Sequence, residues 1–203
     1  MSIAVIIIII TVAASLLAFQ SNDLMNRWLM KPYAIKHGNQ WYRFLTSGLI
    51  HANWLHLFFN MFVLYSFGPL VNAYYSAEFG SRGWYYFILL YIGGLLISDL
   101  PTYAKHQNHP WYSSLGASGA ISSVLFAFVL LNPLGTIYLY FIPMPGIVMG
   151  VLYLAYSWYM SRKGGDNINH DAHFYGAVFG IVYTLLLRPS LGLEFINQLF
   201  RRG

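Results

Sequence analysis

Between Ser2 and Phe19 the chain carries no charged side chain. Five more apolar runs follow, at about 54–75, 84–100, 117–131, 146–160 and 172–187, and their interiors are also almost free of charge. Charged residues make up 8% of the whole and hydrophobic ones 58%, whereas a soluble domain carries about 25% charged residues. An ordinary water-facing surface cannot be built from so few charges, which excludes a soluble enzyme and a disordered chain alike. One helical crossing of a bilayer takes about 20 apolar residues, so 203 residues accommodate six crossings and short loops. The expected fold is all-α, a polytopic bundle of six transmembrane helices in a single domain over residues 1–203.

The run at 2–19 reads as a first span rather than a cleaved signal, because no Lys or Arg precedes it. The stretch 20–53 mixes Arg27, Lys31, Lys36 and Arg43 with Trp28, Tyr33, Trp41 and Tyr42. Cations beside amphipathic aromatics suit the headgroup zone, so a folded loop lying partly in the interface is expected. The third span should end near Asp99 and Pro101. Pro133, Pro143 and Pro145 argue against a continuous helix over 133–145, leaving a connector or re-entrant piece. With no cysteine there is no disulfide framework and no thiolate metal site. The formal net charge of +5 reads as anchoring beside anionic lipid, and no basic run interleaved with aromatics suggests a nucleic-acid groove.

Polar groups inside a span are costly and usually face the bundle interior. Here they are His56, Asn60, Ser118, Ser122, Ser123 and His173, with Asp99 near a span end. His56 and Asn60, four apart, share a helix face. Ser118 stands between Ala117 and Gly119 where a helix begins, and the unpaired backbone N–H groups there suit a developing oxyanion. Gly176 and Gly180 follow His173 in the GxxxG spacing of closely packed helices, and Gly119, Ser123 and Ala127 offer a matching small face. Two such faces in contact would bring Ser118 and His173 within hydrogen-bond reach, as base-assisted nucleophilic attack requires. Each residue has a plainer reading: Ser118 as an N-cap, His173 as a packed core histidine, GxxxG as packing alone, and His56 with Asn60 as a helix tie. A metal site built from His51, His56, His170 and His173 is a further reading, although no HExxH is present. Asp99 stands alone where an aspartyl protease needs two intramembrane carboxylates.

Three segments together carry a resemblance: His51-Ala52-Asn53-Trp54-Leu55-His56-Leu57-Phe58-Phe59-Asn60, Gly116-Ala117-Ser118-Gly119, and Ala172-His173-Phe174-Tyr175-Gly176. In this order, on the second, fourth and sixth apolar runs, they resemble the HxxxxHxxxN, GxSG and AHxxG motifs of the rhomboid intramembrane serine proteases. The resemblance implies Ser118 as nucleophile, His173 as base, and His56, Asn60 and the Ser118 backbone as oxyanion hole. It implies no cofactor and no metal. The expected partners are membrane-protein substrates and the lipid bilayer, with no nucleic acid. The expected location is a bacterial cytoplasmic (inner) membrane. The rival within the same fold is an inactive client-binding relative; a small-solute channel is more distant. Three departures stand out. Tyr42 separates Trp41 from Arg43, and Asn72 rather than Glu follows Gly68 by four. Ser122 occupies the place of a tyrosine that packs on the histidine in well-known bacterial members, so another group must hold the His173 ring. His170 is the rival base, and Asp171 points away from His173 on a regular helix.

Overall fold

The computed structural model describes residues 2–139 and 141–200. It is mostly helical. Helix α1 spans Ile3–Gln20, and three short helices, α2 (Asn22–Trp28), α3 (Pro32–Gly38) and α4 (Arg43–Thr46), occupy the segment after it. Five long helices follow: α5 (Trp54–Phe79), α6 (Gly83–His106), α7 (Ser118–Leu131), α8 (Gly146–Lys163) and α9 (His170–Leu187). Helix α10 (Ser190–Phe200) leaves α9 at a bend of 112°.

The arrangement follows from burial. Every residue of α7 from Gly119 to Ala127 is buried, as expected for a helix that is apolar all round. Helices α5, α6, α8 and α9 pack around it. The outer helices turn large apolar side chains outward, among them Leu17, Phe62, Trp84, Ile92 and Leu152, and an apolar exterior this extensive belongs in lipid. By length and composition α1 and the Trp54–His106 stretch each qualify to cross a membrane, and α9 with α10 forms a bent third candidate. With 14 residues, α7 is only about 21 Å long. That is shorter than a hydrocarbon core of about 30 Å.

The fold is not purely helical. Thr136–Leu139 (β1) and Ile142–Pro145 (β2) pair antiparallel, Thr136 opposite Pro145 and Leu139 opposite Ile142, where a connector was expected. Pro143 and Pro145 are tolerated because a two-stranded ribbon consists of edges only. Helix α6 also runs beyond its expected end near Pro101, to His106. A proline there removes one backbone bond, and the remaining ladder and the packing of Thr102 keep the helix going.

The segment between α1 and α5 is held by Arg43, only 6% exposed. Its guanidinium donates to the carbonyls of Leu29 (2.7 Å) and Asn26 (3.1 Å) and to Gln40 Oε1 (2.6 Å). Met30 and Ser114 exchange both backbone hydrogen bonds at 3.0 Å, tying this segment to the loop between α6 and α7. That loop ends at Ser118.

Candidate active site

The approach to Ser118 is a turn that depends on glycine. Gly116 has a φ of +114°, a conformation open to glycine and costly for other residues. Its N–H donates to Ser47 O at 2.9 Å. A Cβ at Gly116 would lie 2.7 Å from His56 Cε1, so the missing side chain is what lets the His56 imidazole sit against this turn. The next N–H, of Ala117, points at His51 Nε2 at 3.5 Å. His51 Nδ1 lies 3.1 Å from Ser15 Oγ, which donates to Leu49 O at 3.1 Å. This network assigns the proton to Nδ1 and leaves Nε2 as acceptor. Burial first, and the nearby His56 second, push His51 down to about 3, so the ring stays neutral and keeps the lone pair that faces Ala117. His51 therefore braces the turn from outside the helix that carries His56.

Ser118 is the first residue of α7, half-buried, and the N-cap position belongs to Ala117, which makes no side-chain cap. The plain N-cap reading of Ser118 therefore does not hold. The residue lines a cavity of about 10 Å³ together with Ser98, Asp99, Ser114 and Asn169, room for about one water.

Helices α7 and α9 meet through their glycines. A Cβ at Gly176 would overlap the Gly119 carbonyl, and one at Gly180 would overlap the Ser123 carbonyl. On the other side of α7, a Cβ at Gly119 would run into Ser98. Ser118 immediately precedes one member of this contact, and His173 lies one helical turn before its partner. The structure draws no hydrogen bond between Ser118 and His173; catalytic contacts are often long before substrate arrives. His56 is half-buried, its own N–H capped by Asn53 Oδ1 at 2.9 Å. Asn60, 8% exposed, donates one amide hydrogen back to His56 O at 2.8 Å, which leaves its second hydrogen for another acceptor.

The ring of His173 lies face to face with Tyr153 of α8, at 6.1 Å between centroids and 22° between planes. Tyr153 Oη is 2.6 Å from Ser122 Oγ. The aromatic partner absent at position 122 is thus supplied by α8, and the small Ser122 both makes room for it and anchors its hydroxyl. His170, 4% exposed, is committed elsewhere, with Nε2 3.0 Å from Asp166 Oδ2. That contact in turn holds the Asp166 carboxyl below its ordinary range. Asn169 caps α9 by accepting from Ala172 N–H at 3.2 Å and bonds Thr102 of α6. Among the described residues no three of His, Cys, Asp or Glu converge as metal ligands.

Sequence reading missed His51, Tyr153 and Asn169 as supports. His51 carried the only advance signal, its place at the head of the HxxxxHxxxN pattern.

A helical membrane bundle with a serine at the start of its central helix and a histidine on the glycine-packed neighbour defines a class of protein, and comparison with known families gives it a name. The model of the Rhomboid domain matches residues 38–190. The chain belongs to the rhomboid family. It is 25% identical over 181 residues to RHOMBOID-like protein 12, mitochondrial, of Arabidopsis thaliana, covering 85% of this chain and 54% of that protein. It is 31% identical over 175 residues to Rhomboid-like protein 11, chloroplastic, of the same plant, covering 76% and 56%. With YdcA of Bacillus subtilis, a rhomboid protein by name, it shares 30% identity over 151 residues, covering 72% and 67%. The matches thus span about half the length of the two plant relatives.

Proposed function

We propose that this chain is an intramembrane serine endopeptidase that cleaves membrane-protein substrates within or beside their spans. The observation that carries the reading is the glycine-to-glycine contact of α7 with α9, which places Ser118 and His173 at the same end of adjoining helices. In this reading α1, α5, α6, α7, α8 and α9 are the six spans of one domain. His173 accepts the Ser118 proton as Oγ attacks the peptide carbonyl. The Ser118 N–H, Asn60 and His56 donate to the oxyanion. His173 then passes its proton to the leaving amine, and an ester to Ser118 remains. A water attacks that ester, and the C–Oγ bond breaks as Ser118 regains a proton. The small cavity beside Ser118 is a suitable place for such a water. Location in a bacterial cytoplasmic membrane is the finer reading; it draws on the match to the Bacillus protein, while the plant relatives are mitochondrial and chloroplastic by name.

The test is cleavage of a labelled single-span substrate by the purified chain. The parent should cut it, His173→Ala should lose nearly all turnover, and His170→Ala, whose ring is held by Asp166, should keep much of it. The reverse ranking would move the base to His170. A parent chain that binds the substrate without cutting it would favour the client-binding rival.

The Tyr153 contact makes a second expectation. Tyr153→Phe keeps the ring against His173 and loses only the Ser122 hydrogen bond, so it should retain most activity. Tyr153→Ala removes the ring that fixes the imidazole and should lower kcat on the order of 10²-fold, since a misplacement of about 1 Å has that effect. KM should change far less. Equal loss in both variants would show that the hydroxyl, and not the ring, matters.

A further inference from the structure

The chain leaving α6 coils into a short series of turns before it reaches Ser118. Gln107 N–H donates to Tyr103 O at 2.9 Å, His109 N–H to His106 O at 2.9 Å, and Tyr112 N–H to His109 O at 3.3 Å. The spacing of three brings His106 and His109 to one side. Their Nδ1 atoms lie 3.1 Å apart. Each ring is backed by an aromatic: Tyr112 stacks on His106 at 3.6 Å and 5°, and Trp111 on His109 at 5.3 Å and 16°. Both histidines keep partial access to solvent.

Two imidazole nitrogens facing each other at this distance share a single proton. The same geometry fits a metal ion. At a metal–nitrogen distance of about 2.0–2.1 Å, two ligands lie about 3.4 Å apart at a tetrahedral angle and about 2.9 Å apart at a right angle. The observed separation falls between these values, and each ring would bind by turning its Nδ1 lone pair from its neighbour toward an ion between them. We propose that His106 and His109 form a two-histidine binding site for a divalent transition-metal ion of the zinc, copper or nickel class, placed where the end of α6 meets the loop that leads to Ser118. On binding, the ring that donates through Nδ1 shifts its proton to Nε2, and both rings stay neutral.

The ligand chemistry selects the ion. Imidazole suits zinc, copper and nickel, while magnesium and calcium prefer oxygen. Among the described residues no third His, Cys, Asp or Glu completes a set. Water therefore fills the remaining positions, and the ion exchanges freely, unlike one in a closed structural site. Lys105, the nearest cation in sequence, is paired with Asp171 at 3.4 Å, which tempers its repulsion of a second cation. Occupancy would staple the last turn of α6 to the loop whose Ser114 pairs with Met30. This site stands independently of the peptidase reading.

The experiment uses the untagged full chain in detergent micelles after treatment with a chelator. Zn²⁺ is titrated by calorimetry, and Cu²⁺ is followed by electron paramagnetic resonance. The parent should bind Zn²⁺ at a single site that excess Mg²⁺ does not compete for, and its Cu²⁺ spectrum should show coupling to two nitrogens. His106→Gln and His109→Gln should each weaken binding on the order of tenfold or more and reduce the coupling to one nitrogen. His173→Ala should bind Zn²⁺ as the parent does. Parent-like binding by His109→Gln would overturn the proposal, as would a parent that binds no Zn²⁺ at millimolar concentration. If His106→Gln fails to fold because the Tyr112 stack is lost, His109→Gln, in the loop beyond α6, decides the matter alone.

Discussion

Ser118→Ala should abolish cleavage and leave the fold unchanged. The structural half of this expectation rests on what Ser118 does not do. It caps nothing, since Ala117 holds the N-cap position, and alanine is the best helix former available for the first turn. A substitution that removes one oxygen from a half-buried position should move the melting temperature little. The chemical half rests on the proposed reaction, in which the Ser118 oxygen is the attacking atom. Removing the nucleophile of a serine protease costs on the order of 10⁶ in kcat. Two measurements on one preparation check both halves: turnover of a single-span substrate, and labelling by a fluorophosphonate, which should mark the parent and not the variant. Unchanged turnover in a well-folded Ser118→Ala protein would end the hydrolase mechanism.

Gly176→Val should lower both activity and stability. A Cβ at Gly176 already overlaps the Gly119 carbonyl, and that oxygen belongs to helix backbone, which cannot rotate aside as a flexible side chain would. The branched side chain must drive α9 away from α7. Overpacking of this kind costs about 1–3 kcal/mol, and in lipid the loss falls on the van der Waals contact that holds helices together. Displacement of His173 from Ser118 by about 1 Å should reduce turnover on the order of 10²-fold. Gly180→Val, which meets the Ser123 carbonyl one turn further from the site, should destabilise comparably and impair turnover less. A Gly176→Val protein with normal melting and normal turnover would separate the glycine face from catalysis altogether.

The residues proposed to carry chemistry stand out in the sequence because their patterns are local. A serine flanked by small residues at a helix start, a histidine one turn ahead of GxxxG, and a histidine four residues before an asparagine are patterns a few residues long. The supports were hidden because they come from far along the chain. Nothing near Tyr153 marks it as the partner of His173, and only the packing of α8 against α9 makes it one. In the sequence Arg43 is one of several cations suited to the headgroup zone, and only the fold of its segment buries it. The hairpin at 136–145 and the extension of α6 through Pro101 were hidden for another reason. A proline signals the loss of one hydrogen bond, and whether the chain breaks there is decided by the neighbours that pack on it.

The brace of Ser15, His51 and Ala117 has a consequence for the smallest working form of this protein. The segment that matches the family begins at residue 38, but Ser15 lies in α1 and Met30 in the stretch that follows it. Both reach forward, Ser15 through His51 to the N–H of Ala117, and Met30 to Ser114. A chain shortened to the matched segment would retain every motif residue and lose two of the fastenings that hold the turn before Ser118 in place. The folded unit that holds this turn is therefore larger than the signature by which the family is found, and α1 is a support of the turn as well as an apolar helix.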